Sequence, residues 1–97
     1  MEPRGWTYIL ASRRNGTLYV GSAADLSFRI YEHKQELRPG FTSRYDVTML
    51  VWYEGYPTLI GARHREYAIK KWRRAWKIAL IESMNPDWRD LYEELNS

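Results

Sequence analysis

Two short apolar runs flank the dipeptide Asn15-Gly16: Trp6–Ser12 (WTYILAS) before it, and Leu18-Tyr19-Val20 after it, broken at Gly21. Asn and Gly accept the positive φ that tight turns demand, so this pattern predicts an antiparallel β-hairpin near the N-terminus. The rest of the chain has to cover that hairpin. Asp25 is placed to cap a helix from Leu26 to about Glu36, with Leu26, Ile30 and Leu37 as its apolar stripe. Pro39-Gly40 ends that helix, and FTSRYDV after it reads as a loop. Thr48–Gly55 (TMLVWYEG) is the longest strand candidate. From Leu59 to Glu82 the period is helical, with Ile69, Trp72, Trp76 and Leu80 on one face and both tryptophans expected in the core. Pro86 breaks this helix, and DWRDLYEEL reads as a short terminal one. The predicted order is β-β-α-β-α-α. That is an α+β fold with a small three-stranded antiparallel sheet flanked by helices, a single domain over residues 1–97.

Charge is distributed more unevenly than the net +3 suggests. Between Gly61 and Ile78 the cations Arg63, Arg65, Lys70, Lys71, Arg73, Arg74 and Lys77 face one carboxylate, Glu66. From Glu82 onward the balance reverses, with Glu82, Asp87, Asp90, Glu93 and Glu94 against Arg89. A basic element beside an acidic tail points to a polyanion such as nucleic acid as partner; two solvated faces that screen each other are the plainer account. The chain has no cysteine, which excludes disulfides and thiolate metal sites. No apolar run approaches the roughly 20 residues of a membrane span, and MEPRGWTYIL has no apolar leader core. A soluble, cytoplasmic protein with no membrane partner is the expectation.

Several kinds of site are absent from the sequence. There is no nucleophile elbow and no phosphate-binding P-loop, and the two histidines lack zinc-protease spacing. The polar residues left are Tyr8, Tyr19, Arg29, His33, Arg44, His64, Glu66, Lys70 and Asn85. Arg29 and His33 are four apart, so a helix sets them on one face. Glu66 has two readings: an i,i+4 salt-bridge partner for Lys70, or one carboxylate holding Mg²⁺ or Mn²⁺, whose remaining shell is water and substrate phosphate. Tyrosine is common on strands, and Asn85 is suited simply to start the turn before Pro86.

Taken in order, TYIL, LYVG, DLSFRIYEHK, GFTSRY, LVWYE, REYAIKKWRR and NPDWRDL resemble the GIY-YIG nuclease superfamily. The resemblance is to its small stand-alone bacterial branch, related to the nuclease domain of the excision-repair endonuclease, and it runs from about Trp6 to Leu91. It departs from the pattern at Trp6, where the first half-motif carries a glycine. The resemblance implies a DNA endonuclease with one divalent ion, Mg²⁺ or Mn²⁺, acting on single-stranded, branched or damaged DNA. Tyr8 is then the tyrosine of the first half-motif, and Tyr19 and Gly21 belong to the second. Arg29 is the phosphate clamp, with His33 one turn on as a proton relay. Glu66 is the metal ligand. Gly21, Arg44, Lys70 and Asn85 contact substrate, with Gly21 letting its backbone come close. Between the tyrosines, Tyr19 is the expected base and Tyr8 orients water or phosphate. A binding module that kept the fold without the turnover, and an interaction subunit for a nuclease partner, are the competing classes.

Overall fold

The computed structural model describes residues 2–37 and 39–95; the ends of the expected domain, residues 1, 96 and 97, lie outside them. Its centre is a three-stranded antiparallel sheet in the order β2-β1-β3, formed by β1 (Gly5–Ala11), β2 (Leu18–Ala23) and β3 (Met49–Tyr56). The helices are α1 (Leu26–Lys34), α2 (Phe41–Arg44), α3 (Leu59–Lys70), α4 (Arg74–Met84) and α5 (Tyr92–Leu95). The expected α+β fold, a three-stranded antiparallel sheet flanked by helices, is the fold observed.

β1 and β2 form the expected hairpin, with Tyr8 opposite Gly21 and Leu10 opposite Tyr19. The turn closes through Gly16 N–H on Arg13 O at 2.9 Å, with Asn15 left-handed at φ 56°. Side chains alternate across the sheet. Tyr8, Leu10 and Ala23 therefore face α1 with its Leu26 and Ile30, while Ile9, Ala11 and Val20 face the side holding Ile69 and Ile81. Between Ile9 and Leu10 the register with β3 slips: Ile9 opposes Trp52, Leu10 opposes Leu50, and Val51 is the extra residue. The bulge lets Val51 and Trp52, neighbours in the chain, both pack into the α3–α4 side.

Asp25 caps α1 as expected, its carboxylate accepting from Phe28 N–H at 3.1 Å. The helix stops earlier than Pro39, however. Gln35 caps it and Glu36 turns left-handed at φ 54°, so Leu37 falls past the end and is exposed. Within the predicted loop, Phe41–Arg44 winds one helical turn. The single helix expected over Leu59–Glu82 is two. Lys71 and Trp72 N–H bond back three residues to Ala68 O and Ile69 O, and Arg73 is extended at ψ 158°. Two tertiary anchors hold the break. Trp72 packs against the core under Arg65, whose guanidinium lies 5.3 Å from its ring. Arg74 Nη2 donates to Asn15 O at 2.7 Å and Gly16 O at 2.6 Å, tying the start of α4 to the hairpin turn. This bend also turns Trp76 outward; it was expected in the core and is 51% exposed. No helix among the described residues is long and apolar enough to cross a membrane.

Candidate active site

The site residues gather around edge strand β2, where α1 and α2 approach from one face of the sheet and α3 from the other. Tyr19 and Gly21 share the α1 face of β2 with Tyr8 of β1, and Ser22 points to α3. Tyr8 is fully buried, and its hydroxyl is hydrogen-bonded to His33 Nε2 at 3.1 Å. The other ring nitrogen of His33, Nδ1, is bonded to Thr42 Oγ1 at 2.9 Å. His33 and Thr42 are both buried, so the imidazole is held at its two ends by groups from β1 and α2. The Tyr19 ring completes the group, 6.3 Å from Tyr8 and 5.7 Å from His33 between centroids. It is half-buried, so it alone of the two tyrosines reaches solvent.

Burial pushes the Tyr8 phenol well above the ordinary tyrosine range, and the neighbouring Tyr19 adds to this while Arg29 opposes it. Tyr8 therefore holds its proton more tightly than an ordinary phenol, which suits it to the fixed hydrogen bond with His33 Nε2.

The opening for substrate expected at Gly21 is filled by the protein itself. A Cβ on Gly21 would come within 2.5 Å of Tyr8 Oη and 2.9 Å of Tyr19 Cε2. Gly21 is thus the residue that lets two tyrosines pack across the hairpin, and the close approach it permits is internal. At Trp6, where the half-motif would have glycine, the chain places an aromatic ring 5.8 Å from Tyr53. The tight backbone approach occurs one residue earlier, at Gly5, whose added Cβ would lie 2.6 Å from Leu59 Cα at the start of α3.

On the α3 side, Glu66 has both oxygens engaged. Ser22 Oγ donates to Oε1 at 2.5 Å, and Lys70 Nζ lies 2.5 Å from Oε2. That hydrogen bond is the first cause raising the Lys70 ammonium above its usual value. Both readings of Glu66 are thus compatible with its position: it pairs with Lys70 at i,i+4, and it also lies at the site's edge. Arg29 reaches the same strand from α1, its Nη1 donating to Ser22 O at 3.2 Å while Nε pairs with Glu32 at 3.4 Å. Ser22 therefore links the arginine to the carboxylate through its carbonyl and its hydroxyl.

Seven of the nine residues named from the sequence come together here: Tyr8, Tyr19, Gly21, Arg29, His33, Glu66 and Lys70. Arg44 stands at the exposed end of α2, beside Tyr19 through Phe41. Asn85 is elsewhere in its bonding: it is buried, with Nδ2 donating to Val51 O and Arg89 O and Oδ1 accepting from Arg89 N–H at 3.0 Å. Its amide is spent on the turn after α4, so the expected substrate contact gives way to a structural one. Two residues of the site carried too little signal in the sequence. Thr42 lies in what reads as a loop. Ser22 could have been found by strand parity, which puts it on the face opposite Tyr19 and Gly21, toward α3.

As a donor set for a cation, Glu66 and the Ser22 hydroxyl are hard oxygens, and no cluster of three or more His, Asp or Glu exists among the described residues. One carboxylate, with water and phosphate completing the shell, fits Mg²⁺ or Mn²⁺ better than a softer metal. Lys70 occupies one oxygen, but its side chain is 47% exposed and has solvent to swing into.

Known proteins are similar to this chain in sequence and fold. Residues 4–79 match the family model of the GIY-YIG catalytic domain, a match that stops short of Asn85. A UPF0213 protein of Staphylococcus epidermidis is 34% identical over 68 residues, 70% of this chain and 83% of the relative. A UPF0213 protein of Staphylococcus aureus is 35% identical over the same shares. The solution NMR structure of the UPF0213 protein from Bacillus halodurans superimposes with a TM-score of 0.55 at 24% identity, covering 89% of this chain and 90% of that one, which shows a common fold. The fold is of nuclease type, and nucleic acid is the class of partner it implies. This chain belongs to the GIY-YIG family.

Proposed function

We propose that the protein is a divalent-metal-dependent endonuclease that hydrolyses DNA phosphodiester bonds, with single-stranded, branched or damaged DNA as substrate. One observation carries the reading: the Tyr8–His33 pair, the Tyr19 ring and the Arg29–Ser22–Glu66 link converge on the edge of β2 from both faces of the sheet. Phosphodiester hydrolysis needs an activated water and positive charge on the phosphate oxygens where negative charge builds. Arg29 supplies the charge, as a planar fork suited to two phosphate oxygens. Tyr19, the partly exposed tyrosine, gives up its own phenolic proton, through His33 or to solvent, and takes the proton from the attacking water in its place. Tyr8 and Thr42 keep the His33 ring in place beside Tyr19, where it can pass the proton on. Glu66 and Ser22 would hold the ion, which would supply Lewis-acid polarisation of the phosphate and charge stabilisation for the leaving oxygen.

A binding module without turnover is the second reading, and the closed Ser22–Glu66–Lys70 contact favours it, because it occupies both carboxylate oxygens. Labelled single-stranded, duplex and flapped DNA, incubated with Mg²⁺, Mn²⁺ or EDTA, separates the two. Cutting that needs metal and disappears in Glu66→Ala supports the nuclease. Salt-sensitive binding with no cutting on any substrate supports the binding module.

A further inference from the structure

We propose that α2 and its flanking residues Gly40 and Tyr45, beside Tyr19, form a stacking pocket for one unpaired nucleobase flanking the reacting phosphate. This deepens the nuclease reading and rests on its nucleic-acid substrate. From Tyr19 a row of rings leads out of the site. Phe41 lies 6.3 Å from Tyr19 at an interplanar angle of 27°, and Tyr45 lies 4.8 Å from Phe41. Phe41 and Tyr45 are 46% and 50% exposed, so two large rings stand in water directly beside the polar site. They bound an open depression of about 550 Å³, whose wall is completed by Gly40, Ser43 and Arg44. Gly40 has φ 138°, and among the described residues nothing lies within 4 Å of the position a Cβ would take.

The chemistry of the wall selects the occupant. Among the described residues, the lining has two π-faces, one guanidinium and no carboxylate. An aromatic ring that arrives attached to a phosphate satisfies all three features, and a nucleobase is such a ring. Phe41, one wall of the pocket, stacks on Tyr19 of the proposed active site, so both would act on one strand. Bases in a duplex are already stacked on each other, whereas an unpaired base is available to stack on protein. The platform is held firmly. Thr42, between Phe41 and the rest of α2, is buried, bonds His33 Nδ1 and accepts Val47 N–H on its carbonyl at 2.9 Å. A base seated on Phe41 would therefore press on the same one-turn helix that fixes the histidine.

The test reads binding without turnover. Glu66→Ala protein in EDTA is titrated with a single-stranded oligonucleotide carrying 2-aminopurine and with the same sequence as duplex. Adding Phe41→Ala or Tyr45→Ala should weaken single-strand binding about 5- to 100-fold and abolish the stacking quench, while duplex binding moves less than about 2-fold. Phe41→Trp should restore both. Tyr45→Ala lies on the surface, so it keeps the test valid if Phe41→Ala unfolds. Equal losses on both DNA forms, no loss, or no single-strand binding by the parent protein would each overturn the pocket. If these binding differences appear but the wild type cuts nothing with metal, the pocket stands and the nuclease reading falls. If the wild type cuts and the variants bind both forms alike, only the pocket falls.

Discussion

On one side of the sheet, Ile69 of α3, Ile81 of α4 and Trp88 cover Ile9, Val20, Val51 and Trp52. On the other, Leu26, Ile30, Val47 and Leu91 cover Leu10 and Ala23, but Tyr8, His33 and Thr42 are buried among them. The first side holds the fold by apolar packing, whose return grows with area removed from water. The second side takes polar groups out of water and must repay each one with a hydrogen bond. It repays them in sequence, Tyr8 to His33 to Thr42, and the same bonds that settle the desolvation also orient the histidine. The α3–α4 side also buries Thr7 and Asn85, whose side chains bond backbone groups, and it carries Glu66, so the sides differ in degree: the buried imidazole with its two hydroxyl partners lies on the α1 side. The edge of β2, where Ser22 touches both Arg29 and Glu66, is where the two sides meet.

If that difference holds, mutations on the two sides should fail in different ways. The largest effect belongs to the edge. Glu66→Ala or Arg29→Ala should lower DNA cleavage at least about 100-fold, with melting temperature nearly unchanged because both side chains are partly exposed. A large drop in melting temperature would mean that the edge is structural. Next comes the apolar side, where Ile81 is fully buried. Ile81→Ala should cost about 2–5 kcal/mol in urea unfolding while leaving cleavage per folded molecule intact.

On the polar side, Tyr8→Phe should cost about 1–3 kcal/mol, since it removes the partner of a buried imidazole nitrogen. It should also change the alkaline limb. The folded-state pKa of Tyr8 is raised, so the folded protein binds more protons than the unfolded one above pH ~10, and stability falls as pH rises through that range. The contribution is complete below the unfolded value and is lost toward the folded one. Tyr56, pushed up to about 12 mainly by burial and then by Glu54, contributes the same sign. Unfolding midpoints from pH 8 to 11.5 should therefore decline in the wild type and decline less steeply in Tyr8→Phe. Identical slopes would remove Tyr8 as a buried, protonated group. The smallest effect is Arg74→Ala, which should cost about 1 kcal/mol by freeing the hairpin carbonyls of Asn15 and Gly16, with the loss read by faster amide exchange in that turn.

Legibility in the sequence followed the range over which each signal acts. Asn15-Gly16 announced the hairpin, Asp25 the start of α1, and the four-residue spacing of Glu66 and Lys70 their pairing. Each is a property of residues within one turn of each other. The same local rules misread the stretch after Lys70, because Lys71-Trp72-Arg73 contains no glycine or proline to mark a break. They also left Asn85 with a substrate role that its three hydrogen bonds do not leave room for.

The sequence by itself determined the three strands, the Asp25 cap at the start of α1 and which polar side chains were available for chemistry. The tertiary structure decided the bulge that turns Val51 and Trp52 to one side, the bend before Arg74 and the sharing of one strand edge by Arg29, Ser22 and Glu66. Those decisions rest on contacts between distant residues: 25 positions apart for Tyr8 and His33, 44 for Ser22 and Glu66, and 58 for Arg74 and Gly16. No local propensity encodes such pairs. They form only when burial of the two sheet faces has brought the strands and helices together.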